Sequence, residues 1–281
     1  MSTAPQAAML PDGQRLHLHH GPIDLIIQAW GVERQTCYEQ AIERFQTILT
    51  GLVSELPALR SPVSQKSAFS DPVARRMGAT VVGYEGFFIT PMAAVAGAVA
   101  DEILAAMISG CNVSKAYVNN GGDIAFHLSG DENTVVAAPG GAIHIAATDP
   151  VRGIATSGWR GRSHSLGIAD AVTVAARSAA DADAAATLIA NAVDLPGHPA
   201  IERVPAQDIA PDSDLGDRKV TVSVGALSGA EITLALQSGE ALARRLVSEG
   251  KIIQASLMLE GDVRVVTANT EITPQGTLAH A

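Results

Sequence analysis

Aromatic residues are scarce in this 281-residue chain, at 4%. Apolar residues still make up 47%, much of it alanine and valine. That excludes a disordered chain and requires a core of small side chains packed closely. Cysteine occurs only at Cys37 and Cys111. The two form neither a CxxC pair nor a zinc spacing, and read as two buried thiols. Positive charge is thin: 19 Lys and Arg stand against 29 Asp and Glu, for a net charge of −10. No basic run exceeds two adjacent residues, so no nucleic-acid partner is expected. An anionic ligand would instead be met by backbone amides, helix N-termini or a metal. The longest apolar run, Met92 to Ala100, is short for a bilayer and ends at Asp101-Glu102. Met1 to Leu10 lacks the basic and apolar regions of a secretory signal, and no cysteine near residue 20 suits a lipid anchor. A cytoplasmic protein without a membrane partner is the expectation. GxSxG, Walker and GxGxxG motifs are absent.

The length fits one large domain or two small ones. Ile23 to Ile27 reads as a strand after Gly21-Pro22. Tyr38 to Leu56 carries apolar residues at helical spacing, with Pro57 past its end. Arg60 to Ala79 is polar, holds two prolines and reads as a loop, followed by a short strand at Thr80-Val81-Val82. Thr90-Pro91 opens a second helix, with Thr as cap and Pro in the first turn, and Gly110 stops it. The first half of that helix holds nearly all small residues, which lets another backbone or a flat ligand come close. Whether it packs on its own chain or on a second subunit is left open. Strands are expected at Ala116–Asn119, Asp123–Leu128, Thr134–Ala138, Ala142–Ala147 and Ala171–Ala176. His17 and His19 share one face of a further strand, with His20 on the other. A helix runs from near Ser178 to Ala192. Leu195 to Asp217 reads as a connection. Then come a strand at Val220–Val224, a helix from Ser238 to Glu249 and a hairpin pairing Ile252–Leu259 with Val263–Thr267. Residues 268–281 read as a tail. Antiparallel hairpins with few helices favour an α+β fold.

Three constellations carry possible chemistry. Asn119-Asn120-Gly121-Gly122-Asp123 lies between two strands. Asn-Gly is the strongest short hairpin signal, so the motif alone reads as a turn. Its successive glycine amides also suit an anion or the edge of a flat ring. In the helix from Ser178, Asp183 and Thr187 are four apart and share one face. A carboxylate and a hydroxyl form a sparse site for a hard cation, adequate for magnesium if phosphates and water complete its shell. On periodicity alone Asp183 is equally a solvated helix residue, and Asp181 belongs to the helix start. Finally, Ala155 to Ser165 gathers hydroxyls, Gly158, Gly161, Arg160, Arg162 and His164 in one loop. That loop suits phosphate, and His164 suits a general base, but it is equally a polar surface loop.

Together these motifs resemble the ApbE family of flavin transferases, in a shorter, poorly characterised branch. The resemblance rests on His20-Gly21-Pro22-Ile23-Asp24-Leu25, Pro91 to Ala98, Asn119 to Asp123, Ala155-Thr156-Ser157-Gly158, Ala169 to Val174, and Ala182-Asp183-Ala184-Ala185-Ala186-Thr187. It implies one T-fold-like α+β domain of antiparallel sheets with packed helices over 1–281, with its core at about 15–267. It implies FAD or FMN as the bound flavin nucleotide, magnesium held by Asp183 and Thr187, and a flavin site lined by Asn120, Gly121, Gly122 and Asp123. Thr156, Ser157 and Gly158 match a loop on the nucleotide, and His164 matches the catalytic histidine segment. A main-chain carbonyl near Val95 or Ala96 is implied as a further cation ligand. The implied reaction moves FMN from FAD onto a Ser or Thr of an acceptor flavoprotein and releases AMP. Two departures stand out: Ala96 occupies the place of a lysine, and the Pro-x-Thr-Gly that follows the family's histidine is absent after His164. Asp170 is the residue placed to stand in for the lost acid. The departures also suit a second reading, a flavin or small-ligand binding module without chemistry.

Overall fold

The computed structural model describes residues 4–62, 68–84 and 86–268. The expected tail from 269 onward lies outside them. Among the described residues, thirteen strands and seven α-helices follow in chain order: β1 (Gln6–Met9), β2 (Leu16–His20), β3 (Ile23–Trp30), α1 (Arg34–Ser54), α2 (Leu56–Leu59), α3 (Pro72–Val81), a 3-10 turn (Pro91–Ala94), α4 (Val95–Ile108), β4 (Lys115–Asn120), β5 (Asp123–Leu128), β6 (Asn133–Ala138), β7 (Gly141–Ala146), β8 (Gly153–Ser157), β9 (Ala171–Ala176), α5 (Ala179–Ala192), β10 (Ile201–Pro205), α6 (Ala206–Ile209), β11 (Lys219–Val224), α7 (Gly229–Ser248), β12 (Gln254–Leu259) and β13 (Asp262–Thr267).

Nine strands form one sheet in the order β1-β2-β3-β4-β5-β8-β9-β12-β13, and every neighbouring pair is antiparallel. The mixed helix and antiparallel sheet architecture is the one expected. Burial alternates along β2, β3 and β4, as a sheet with one core face requires. Leu18, Leu25, Ile27 and Val118 point inward and are completely buried. Each such aliphatic side chain contributes about 1.5–3 kcal/mol. Helices α1, α4, α5 and α7 cover that face, and their buried side chains join one core with the strands. On the other face, the hairpin β6–β7 closes a smaller cluster, in which Ile143 and Ile145 meet Phe126, Leu128 and Ile154.

The alanine-rich helix packs on its own chain, against α1, α5, β4 and β5. With the 3-10 turn before it, Pro91–Ile108 is long and apolar enough to cross a membrane by length and composition, at a mean hydropathy of 1.6. That is longer than the run visible in the sequence, because apolar residues resume after Asp101-Glu102. Half of it is buried inside the protein. Of the two thiols, Cys37 is buried and Cys111 is partly accessible.

Several expected elements are corrected. The loop over 60–79 contains α3, and Thr80-Val81-Val82 is its last turn rather than a strand. Asp71 caps α3 by accepting the N–H groups of Val73 and Ala74, and Pro72 opens it. The connection over 195–217 contains β10, which pairs with β11. The last helix starts at Gly229, nine residues before the expected Ser238, because Ser228 and Glu231 form a reciprocal capping box. Strands β1 and β8 were not expected. Ala155–Ser157 therefore belongs to a strand, and only 158–165 is loop.

Candidate functional site

The turn between β4 and β5 is a two-residue hairpin, with Asn120 opposite Asp123. Gly121 and Gly122 have φ of 65° and 116°, a backbone that side chains with a Cβ rarely adopt. Asn119 Oδ1 accepts the Gly122 N–H at 2.8 Å and fixes the turn. The expected hairpin is thus present, and its two flanking polar residues turn inward: Asn120 is 6% exposed and Asp123 9%. Asn120 Nδ2 donates to the Ala96 carbonyl at 3.0 Å, tying the turn to the start of α4. Asp123 Oδ1 accepts the Thr156 N–H at 3.3 Å from β8.

Asp183 arrives from α5. Its Oδ2 accepts the Gly97 N–H at 3.0 Å. The carboxyl groups of Asp123 and Asp183 are close enough for each to bear on the other's charge. Asp183 is not a solvated helix residue; it keeps some accessible surface but is surrounded by protein atoms. Burial pushes Asp123 up to about 7, opposed by the Thr156 N–H and the charge of Arg162. Burial first, and then the charge of Asp123, push Asp183 well above the usual carboxylate range. Two adjacent carboxylates in a poorly solvated place cannot both ionise cheaply, so the pair holds a proton in the absence of another cation.

Close backbone approach sets this geometry. A Cβ at Gly97 would lie 2.2 Å from the Ala179 carbonyl oxygen, and one at Gly153 would lie 2.0 Å from the Ala179 nitrogen. The first residue of α5 is therefore gripped between α4 and β8. Asp101 of α4 completes the grip: its two oxygens accept the N–H groups of Ala179 and Ala180, each at 3.0 Å. Ser178 caps α5 as well, and Asp181 shares that cap, as its position implied. Thr187 lies one turn beyond Asp183 on the same helix and is partly accessible.

The remaining expected residues are more dispersed. Thr156 Oγ1 pairs with Thr173 Oγ1 at 2.8 Å, and Ser157 and Gly158 follow at the end of β8. His164 is exposed on the loop over 158–165 and has no hydrogen bond or ion pair among the described residues. The same loop carries Arg162, whose guanidinium lies directly over Gly121. Asp170 is already engaged. It accepts from Trp159 Nε1 at 3.2 Å, Arg160 Nε at 2.6 Å and the Glu260 N–H at 2.6 Å, so it staples this loop to the β12–β13 turn. It is not free to replace a lost acid. Asp101 and Gly153 are site-forming residues that the motifs do not mark, and an acidic pair in an otherwise apolar helix is the signal for the first; Gly97 and Arg162 fall in stretches that the motifs do mark.

A family model described as AbpE bacteria matches residues 7–265. The chain belongs to the ApbE family. A UPF0280 protein of Methanothrix thermoacetophila is 42% identical over 115 residues, 38% of this chain and 47% of that protein. One from Methanopyrus kandleri is 34% identical over 182 residues, 60% of this chain and 69% of that protein. The chain spans about half the length of most of the curated relatives it matches. Among solved structures, the apo form of the flavinyl transferase ApbE of Pseudomonas stutzeri aligns with a TM-score of 0.50 at 11% identity, covering 95% of this chain and 96% of that one. The ApbE fold is thus shared although few residues are.

Within this ApbE chain, the oxygens near the turn include the Asp123 and Asp183 carboxylates and the Ala96 carbonyl, and Thr187 lies one turn beyond Asp183 on α5. An all-oxygen set fits a hard cation such as magnesium, with phosphate and water oxygens completing the shell. The described residues contain no cluster of three or more His, Cys, Asp or Glu arranged for a metal, so the cation fits only with a ligand that brings oxygens of its own.

Proposed function

We propose that this chain is a flavin transferase that uses magnesium to bind FAD and moves its FMN part to a Ser or Thr of an acceptor flavoprotein, with release of AMP. The observation that carries the reading is the convergence of Asp123 and Asp183 beside the Gly121-Gly122 turn. The turn offers backbone amides without side chains, and a flat ring or phosphate can approach them closely. Asp183 and Thr187 would hold the cation with Asp123 beside them, and Asn120 positions the Ala96 carbonyl. A bound magnesium would offset phosphate charge and help the AMP leave. Arg162 lies where it can offset a further negative charge over the turn. The acceptor hydroxyl must lose a proton, and His164 is the residue assigned to take it.

Incubation with FAD, magnesium and candidate acceptor flavoproteins should release AMP and leave FMN covalently attached to one of them. A second reading is favoured by Ala96 and by the engagement of Asp170: the site holds a flavin without turnover. Tight magnesium-dependent binding with FAD still intact after long incubation would select that reading. Asp183→Asn keeps an acceptor for the Gly97 N–H but removes charge from the cation site. It should weaken magnesium-dependent FAD binding by about tenfold or more, since a charge-assisted contact is worth about 1.5–3 kcal/mol. Superimposable titrations of variant and parent would remove Asp183 from the site.

A further inference from the structure

A cavity of about 690 Å³ opens where α3, the residues leading into α5 and the end of α7 meet. Its wall carries Arg75, Arg76, Arg177 and Lys251, four of the 19 basic residues of a chain whose net charge is −10. Three separate elements bring them together: Arg75 and Arg76 come from α3, Arg177 precedes the Ser178 cap, and Lys251 follows α7.

The carboxylates around this cavity do not match the cations. Asp181 lines it, but is hydrogen-bonded to Ser178 Oγ at 2.7 Å. Glu249 serves Lys251 at 3.2 Å and Arg245 at 3.1 Å. Glu102 reaches Arg76 only at 3.6 Å and is held by Arg44 at 2.8 Å. Arg75 donates to the Ser70 carbonyl, and Arg177 has no ion pair among the described residues. Arg76 Nε is buried without a hydrogen-bond partner. The N–H groups at the start of α5 are consumed by Asp101 and Ser178, so the guanidinium groups are the free donors here.

We propose that this cavity binds a phosphate-bearing small molecule. Guanidinium forks match phosphate oxygens two at a time, and convergent arginines with spare donors are the usual means of holding them. The volume falls within the range of small-molecule sites, about 300–1,000 Å³, and exceeds what inorganic phosphate alone needs. Lys251 Nζ sits 4.6 Å over the ring of buried Tyr84, and both line the cavity. The site does not depend on the flavin reading. Asp181 lines the cavity, while Asp183 accepts from Gly97 at the other site.

Calorimetric titration with inorganic pyrophosphate, in a chelator that removes divalent cations, tests this. Saturable binding with a Kd of about 1 mM or tighter is expected, weakening with added salt. Arg177→Gln, at an exposed residue with no partner to lose, should weaken it about tenfold, and adding Arg75→Gln should weaken it further. Asp183→Asn should leave the affinity unchanged. Absence of saturation, equal affinity in Arg177→Gln, or loss of affinity in Asp183→Asn would each overturn the assignment.

Discussion

A methyl group at Gly97 would meet the Ala179 carbonyl oxygen at 2.2 Å, and the carbonyl is part of a helix backbone that cannot step aside alone. Gly97→Ala must therefore push α4 away from α5. Overpacking of this kind costs about 1–3 kcal/mol, and the stability loss is measurable by chemical denaturation. Because the Gly97 N–H is also the donor to Asp183, the same variant should weaken magnesium-dependent FAD binding even where it remains folded. At this scale the sequence was partly legible. The Asn-Gly-Gly-Asp motif marked both the turn and Asp123. The burial of Asp183 was not visible, because nearly every residue around it on α5 is alanine. An amphipathic stripe tells inside from outside only when the two sides differ, and here they do not. The engagement of Asp170 is invisible locally for another reason: Trp159 and Arg160 come from the loop before it, but Glu260 lies in the β12–β13 turn, far along the chain.

Among the elements, α5 depends on a carboxylate supplied from elsewhere. Asp101 lies half-buried in α4, and desolvation raises its affinity for a proton while the N–H groups of Ala179 and Ala180 oppose that shift. Asp101→Ala leaves both donors unpaired and should lower the unfolding free energy by about 1–3 kcal/mol. Asp101→Asn, which keeps one acceptor oxygen, should lose less; equal losses in urea denaturation would refute the cap. Local signals did locate α4 and α5, through Thr90-Pro91 and Ser178. The same signature, Asp71-Pro72, opens α3, although the polar 60–79 stretch with its two prolines argues locally for a loop. The strand β8, Gly-Ile-Ala-Thr-Ser, has little strand propensity of its own. Pairing with β5 on one side and β9 on the other makes it a strand, and such neighbours are invisible to a local reading.

For the whole molecule, the order of nine strands could not be read from the chain, since β5 and β8 become neighbours only after the β6–β7 excursion. Stability against acid is another property of the entire fold. Glu231 is held down from 4.5 to about 2, chiefly by the Ser228 N–H and then by His198. A carboxylate depressed on folding stabilises the native state fully above its unfolded value, and that contribution disappears as pH falls through the folded one. Glu231→Gln should thus be less stable than the parent above pH 4.5, with the gap closing towards pH 2. Denaturation midpoints across that range check the prediction; a gap that stays constant with pH would exclude the linkage.

The grip on Ala179 by two glycines also bears on how such a protein changes over generations. Side chains cannot grow where two backbones touch, so new specificities have little room to arise along α5 itself. The exposed stretch around Arg162 and His164 has no such constraint. A library randomised there would retain folded members in abundance, whereas one randomised at Gly97, Gly153 and Ala179 would return almost none.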